Sequence, residues 1–202
     1  MKSNFLSDLS KEKQLAPLLD FYYEKHLKQY TFKRVSNLEQ QRKGIDLILE
    51  HKVSKNLFYV DEKAQLDYVN ESLPTFAFEL SYHKKGHQKQ GWLFDASKKT
   101  HFYALVTSIF SDEEKMFTSC NITFVNRKKL IGHLVDLNLT EEHLTKVIRN
   151  NAQTNGKLIL ESLHPKKEGF LFFSTSNKAE KPINLVLRLE FLVEIGVAKR
   201  LV

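Results

Sequence analysis

The sequence predicts a mixed α/β fold of the α+β kind with a C-terminal elaboration, and three observations carry that expectation. Apolar runs at 44–50, 56–69, 75–80 and 100–110 are rich in Ile, Val, Phe, Tyr or Thr, as strands are. A stretch at 10–30 places Leu15, Leu18, Leu19, Tyr22, Leu27 and Tyr30 near helical spacing, with lysines and glutamates between them. From about residue 118 the texture changes to short strand-like runs alternating with helical ones. No repeat, low-complexity tract or linker interrupts the 202 residues. A single domain (1–202) is therefore expected, with a core over about 10–118 and an elaboration over about 119–202.

The elements follow in order. The first helix lies within 10–30, and Pro17 is expected near its start, because proline lacks the amide that a helix interior uses. Residues 36–43 are polar and lead into the strand at 44–50; the next strand spans 56–69. Pro74 separates it from the β-rich run 75–80. His83 to Gln90 reads as a basic loop around Gly86, and 100–110 suits a central strand. Beyond 118, a strand is expected at 121–125 and a helix at 127–137. Another helix opens at Thr140, which can cap it; Glu141 and Glu142 favour its positive end, and Leu139 can staple to Leu144. Strands at 170–174 and 183–189 precede a last helix ending in Lys199-Arg200.

The formal net charge of +7 favours a polyanionic partner, and ordinary lysine-rich solubility explains it equally well. One cysteine, Cys120, excludes an intramolecular disulfide and suits a reducing compartment. With no apolar stretch of membrane length and no apolar segment after Met1, a soluble cytoplasmic protein is expected.

The chemistry concentrates in Gly44-Ile45-Asp46 and Phe58-Tyr59-Val60-Asp61-Glu62-Lys63. Side chains alternate along a strand, so Tyr59, Asp61 and Lys63 share one face while Phe58, Val60 and Ala64 take the other. Glu62 goes with Val60 and Ala64. An Asp and a Lys on one side of a buried strand are costly unless they pair or hold a metal. Asp46 adds a second carboxylate 15 residues before Asp61. Two carboxylates beside an ammonium form a hard-cation site of the sort phosphodiester hydrolysis needs. Charges and spacing alone also fit a surface hairpin carrying a salt bridge.

Asp46 followed by Asp61-Glu62-Lys63 resembles the PD-(D/E)xK nuclease superfamily, with Ile45 where a proline often precedes the first acid and Asp as the second acid. The wider run, roughly 38 to 107, is similar to a small bacterial or phage group of such nuclease-like proteins. The resemblance implies a restriction-endonuclease-like mixed central sheet flanked by helices. It implies a Mg²⁺- or Mn²⁺-dependent endonuclease acting on nucleic acid, with DNA as the expected substrate. Asp46 and Asp61 become the metal ligands, and Lys63 becomes a charge that holds the attacking water and offsets the transition state. Glu79, set in an apolar strand, is expected to face the site as a further ligand or to pair with Lys63. Glu39 is the candidate extra metal ligand from the segment before the first strand; a solvated helix residue is an equal reading.

Lys84, Lys85, Lys89, Gln90 and Trp92 suit backbone phosphates and stacking, unless Trp92 is core and the lysines serve solubility. Arg127, Lys128 and Lys129 open a helix where amides and cations can meet phosphate, or form a plain solvated face. His83 and His87 lack the third ligand of a zinc site, and no Walker or Rossmann glycine loop occurs. Symmetric double-strand cutting needs two active sites, which points to a homodimer. Two rival readings stay open: a non-catalytic nucleic-acid-binding module on the same fold, and a protein-interaction subunit of a phage or mobile-element system.

Overall fold

The computed structural model describes residues 5–84, 86–113, 116–174 and 180–202. The chain begins with α1 (Phe5–His26), β1 (Tyr30–Arg34), α2 (Leu38–Arg42), β2 (Leu47–His51) and β3 (Leu57–Ala64). A 3-10 turn at Leu66–Tyr68 leads to β4 (Thr75–Lys84), β5 (His87–Gln90), β6 (Phe102–Glu113) and β7 (Met116–Asn126). Then come α3 (Arg127–Asp136), α4 (Glu141–Asn150), β8 (Gly156–Leu158), β9 (Gly169–Phe173), β10 (Ile183–Arg188), α5 (Leu189–Glu194) and β11 (Ala198–Arg200). The protein is thus mixed α and β, with two sheets and five α-helices among the described residues. Among them no helix is long and apolar enough to cross a membrane.

The chain parts into two compact units, each discontinuous in sequence. The first takes the described residues up to Leu73, then Ser97–Arg127 and Gly196–Val202. The second takes Pro74–Ala96 and Lys128–Ile195. Residue 118, where the sequence changes texture, falls inside β7, which pairs along its length with β6 in the first unit.

The first unit is a six-stranded mixed sheet in the order β1-β2-β3-β6-β7-β11. Neighbours are antiparallel except β3 and β6, which run parallel. Residues 103–109 of β6 form an unbroken buried run, as a central strand requires. Helix α1 supplies the hydrophobic cover: Leu15, Leu19 and Tyr23 recur every four residues and so share one face. They pack with Leu47, Leu49, Val60, Ala104, Val106 and Ile122 from four strands. Burial on that scale is worth roughly 1.5–3 kcal/mol per large side chain. It explains why α1 runs straight through Pro17, where a helix start was expected. Proline removes one hydrogen bond, whereas stopping the helix would strip an apolar stripe from the sheet.

The second unit holds the antiparallel sheet β5-β4-β10-β9-β8 with α3, α4 and α5. Strand β4 alternates as its sequence predicts: Phe76, Phe78 and Leu80 are buried, Ala77 is exposed and Glu79 is half-buried. Thr140 caps α4 by accepting a hydrogen bond from the His143 amide at 3.2 Å, as expected. Two expectations are corrected. The basic loop at 83–90 is a hairpin, in which Ser81 to Lys84 pair with Gln90 to His87. The terminal helix stops at Glu194, because Gly196, with φ +70°, takes the left-handed position after the cap. The chain then extends as β11 along β7, covering that strand's edge.

A polar cluster joins α1, β1 and β3 on the hydrophobic side of the first sheet. Arg34 donates to Glu62 Oε2 and to Asp20 Oδ1, both at 2.7 Å, and Tyr23 donates its hydroxyl to Glu62 Oε1 at 2.8 Å. Burial and the neighbouring Glu62 carboxylate push the Tyr23 hydroxyl pKa well above its ordinary value. Burial alone would lower the Arg34 pKa, but Glu62 and Asp20 outweigh it and raise it. Arg34→Ala strips a nearly buried carboxylate (side chain 14% exposed) of its cation. The expected loss is about 2 kcal/mol in urea unfolding, scaled down from a fully buried pair. A loss below about 0.5 kcal/mol contradicts this description.

Candidate metal centre

The antiparallel pairing of β2 with β3 sets Leu47 opposite Val60, and therefore brings Asp46 alongside Asp61. The ladder continues one residue past β2, since the Asp46 amide donates to the Val60 carbonyl at 2.9 Å. The Glu62 amide donates to Asp46 Oδ2, also at 2.9 Å, which fixes that carboxyl against the strand. Asp61 is only 2% exposed, and Lys63 donates from Nζ to Asp61 Oδ1 at 2.5 Å. The register sets the Asp46 and Asp61 carboxyls near enough that Asp61 raises the Asp46 pKa. Two acids and one amine thus meet at a single point on the sheet.

Electrostatics sharpens the picture. Burial, reinforced by the Asp61 carboxylate, pushes the Asp46 carboxyl up to about 7, against an ordinary value of 3.8. Burial works to lower Lys63, but Asp61 and then Asp46 overcome it, so its ammonium holds its proton more firmly than usual. Lys63 therefore acts as a fixed positive charge. One ammonium does not satisfy two crowded carboxylates, and Asp46 carries the deficit. This donor set fits a hard divalent cation, which takes carboxylate oxygens and fills its other positions with water or phosphate. Among the described residues no group of three or more His, Cys, Asp or Glu converges as a metal cage. The two acids stand as a pair.

The surroundings hold this pair in place. Gly44 adopts φ +70°, and a Cβ built there would lie 2.2 Å from Thr100 Oγ1 and 3.1 Å from Asp61 Oδ2. Only glycine lets this turn approach so closely. Thr100 donates to the Gly44 carbonyl at 2.8 Å, tying the segment before β6 to the turn before β2. Next to Thr100, His101 stacks on Tyr59 with ring centroids 5.0 Å apart, and its Nδ1 accepts the Tyr59 amide at 3.0 Å. On β6, Tyr103 pairs with Asp61 and accepts a hydrogen bond from Arg127 Nε at 3.0 Å.

The other candidates are placed as follows. Glu62 turns to Tyr23 and Arg34, on the side the alternation predicted. Glu39 is exposed in the first turn of α2, whose cap is Asn37. Glu79, half-buried on β4, lies in the second unit, where its carbonyl accepts the Leu93 amide. Lys84 and Lys89 are exposed on the β4–β5 hairpin, and Lys85 lies outside the described residues. Gln90 donates to Glu141 Oε1 at 2.5 Å, and Trp92 packs on Phe78 with centroids 5.5 Å apart. Lys128 and Lys129 are exposed at the start of α3. Cys120 is buried, which pushes its thiol up to about 12 and makes it a poor nucleophile. Thr100 and Arg34 were not anticipated, since their roles depend on pairing between segments distant in sequence.

In comparisons with known proteins the chain matches no family model, no curated protein and no solved structure.

Two predictions follow from the geometry. An acid whose pKa is raised in the folded state contributes fully to stability only below its unfolded value. That contribution is lost as pH rises from about 3.8 through about 7. In metal-free buffer, Asp46→Asn should therefore raise the melting temperature more at pH 8 than at pH 4.5, keeping its bond from the Glu62 amide. A pH-independent difference contradicts the shift. Gly44→Ala, forced into a left-handed backbone and against Thr100, should lose about 2 kcal/mol or more in urea unfolding. A neutral substitution shows that the turn has room.

Proposed function

We propose that this protein is a divalent-metal-dependent endonuclease of the PD-(D/E)xK type, hydrolysing phosphodiester bonds of DNA. The observation that carries the reading is the register that sets Asp46 alongside buried Asp61, with Lys63 bonded to Asp61 at 2.5 Å and Asp46 pushed up to about 7. Such an arrangement is electrostatically short of positive charge. The mixed sheet supports the same reading: Asp46 immediately precedes β2, Asp61 lies on the antiparallel β3, and a parallel neighbour, β6, follows.

Asp46 and Asp61 would hold Mg²⁺ or Mn²⁺. When bound, the ion lowers the pKa of water and stabilises charge developing on phosphoryl oxygens. The chain's own residues do the rest. The Glu62 amide keeps the Asp46 carboxyl aimed at the site instead of leaving it to rotate. Lys63, held protonated by Asp61, presents a charge where the transition state gathers its own. Gly44 lets the turn and Thr100 close against Asp61 Oδ2, where any side-chain carbon would collide.

A plasmid-nicking assay with Mg²⁺, and with EDTA as control, tests the proposal together with binding to the same DNA. Asp61→Ala should abolish cutting while binding survives or tightens, since a carboxylate that repels phosphate is gone. Lys63→Ala should slow cutting by about 10²-fold or more. Cutting that survives Asp61→Ala rejects the site. Binding without any Mg²⁺-dependent cutting by the parent protein favours a non-catalytic module.

A further inference from the structure

Two segments that the sequence keeps far apart are bound together beside Asp61. Lys98 donates from Nζ to the Arg42 carbonyl at 2.7 Å, and the Lys99 amide donates to the Lys43 carbonyl at 2.8 Å. Thr100 completes the series with its bond to the Gly44 carbonyl. The result is a short hydrogen-bonded clasp carrying four cations: Arg42, Lys43, Lys98 and Lys99. It adjoins the acid pair directly, because the Cβ position at Gly44 is 3.3 Å from Lys98 Cδ and 3.1 Å from Asp61 Oδ2.

The charges on this clasp are unbalanced. Among the described residues none of the four forms an ion pair, and Glu39, one turn before Lys43 on α2, does not reach it. Arg42, Lys43 and Lys99 are exposed. The bonds to backbone carbonyls fasten these like charges onto two adjoining segments, three of them facing solvent with no ion pair among the described residues. A ligand bearing a row of negative charges at close spacing would balance them.

We propose that this clasp, residues 42–44 and 98–100, is a phosphate-gripping rim that holds the DNA backbone beside the scissile phosphate. It takes the identity of its polyanion from the nuclease reading and is otherwise independent of it. Arg42 offers a planar fork that matches phosphate geometry, whereas Lys43 and Lys99 offer point charges. Lys98 is partly committed to the Arg42 carbonyl and braces the clasp. Together they would supply affinity without sequence preference, since phosphates carry no base information.

The test measures binding of a labelled DNA duplex in EDTA, where Mg²⁺-dependent cutting is absent, across a sodium chloride series. The variant is Arg42→Gln/Lys43→Gln/Lys99→Gln, whose replaced side chains make no hydrogen bond among the described residues. A control removes equal charge at exposed Lys25, Lys28 and Lys52. The rim variant should keep its melting temperature, bind at least tenfold more weakly at low salt, and show a log–log salt slope shallower by about 2 to 3, at about 0.9 per lost phosphate contact. The control should change the slope by less than 1. An unchanged slope in the rim variant, an equal change in the control, or no duplex binding by the parent protein each overturns the rim. A rim-dependent slope in a protein that never cuts DNA upholds the rim and removes the nuclease reading instead.

Discussion

The juxtaposition of the Asp46 and Asp61 carboxyls is the arrangement on which the functional account rests. Buried acids ordinarily lie apart or neutralise one another. Here they are brought together by strand register, and one ammonium serves both. A fold that needed only stability at this position would place a hydrophobic pair there, which buries without the cost of desolvating charge. Keeping two acids and an amine at one point is a strain that a bound cation would relieve.

The remainder of the first unit can be understood as the means of maintaining that juxtaposition. Glu62 lies between Asp61 and Lys63 and points the opposite way, into Arg34 and Tyr23, so β3 is held on both faces. Its amide meanwhile fixes Asp46. Any slip of β3 by one residue would exchange Glu62 with Asp61 and Lys63 and break both arrangements together. The α1 core, which packs Leu15, Leu19 and Tyr23 against β2, β3, β6 and β7, supplies the hydrophobic free energy that makes such a slip costly.

Local patterns were readable in the sequence where one segment decides the outcome. The alternation of Phe58 to Ala64 gave the correct faces for Asp61, Lys63 and Glu62, and Thr140 with two acids gave the start of α4. The apolar spacing of α1 was visible too, although Pro17 obscured its extent; tertiary burial overrode the local penalty. What was not readable depends on contacts between remote segments. The Thr100–Gly44 bond spans 56 residues and the Arg34–Glu62 pair spans 28, and neither leaves a periodic trace. The hairpin at 83–90 looked like a loop because its residues are polar, as those of a solvated edge strand usually are. The turn at Gly196, which replaces a terminal helix with β11, rests on one residue.

Titration calorimetry with Mn²⁺ or Mg²⁺ on the purified protein tests the central claim most directly, because it needs neither substrate nor catalysis. The account predicts saturable divalent binding to the parent protein, lost in Asp46→Asn and in Asp61→Asn while both variants remain folded. Absence of divalent binding to the parent protein, or binding that persists unchanged in both variants, would contradict it.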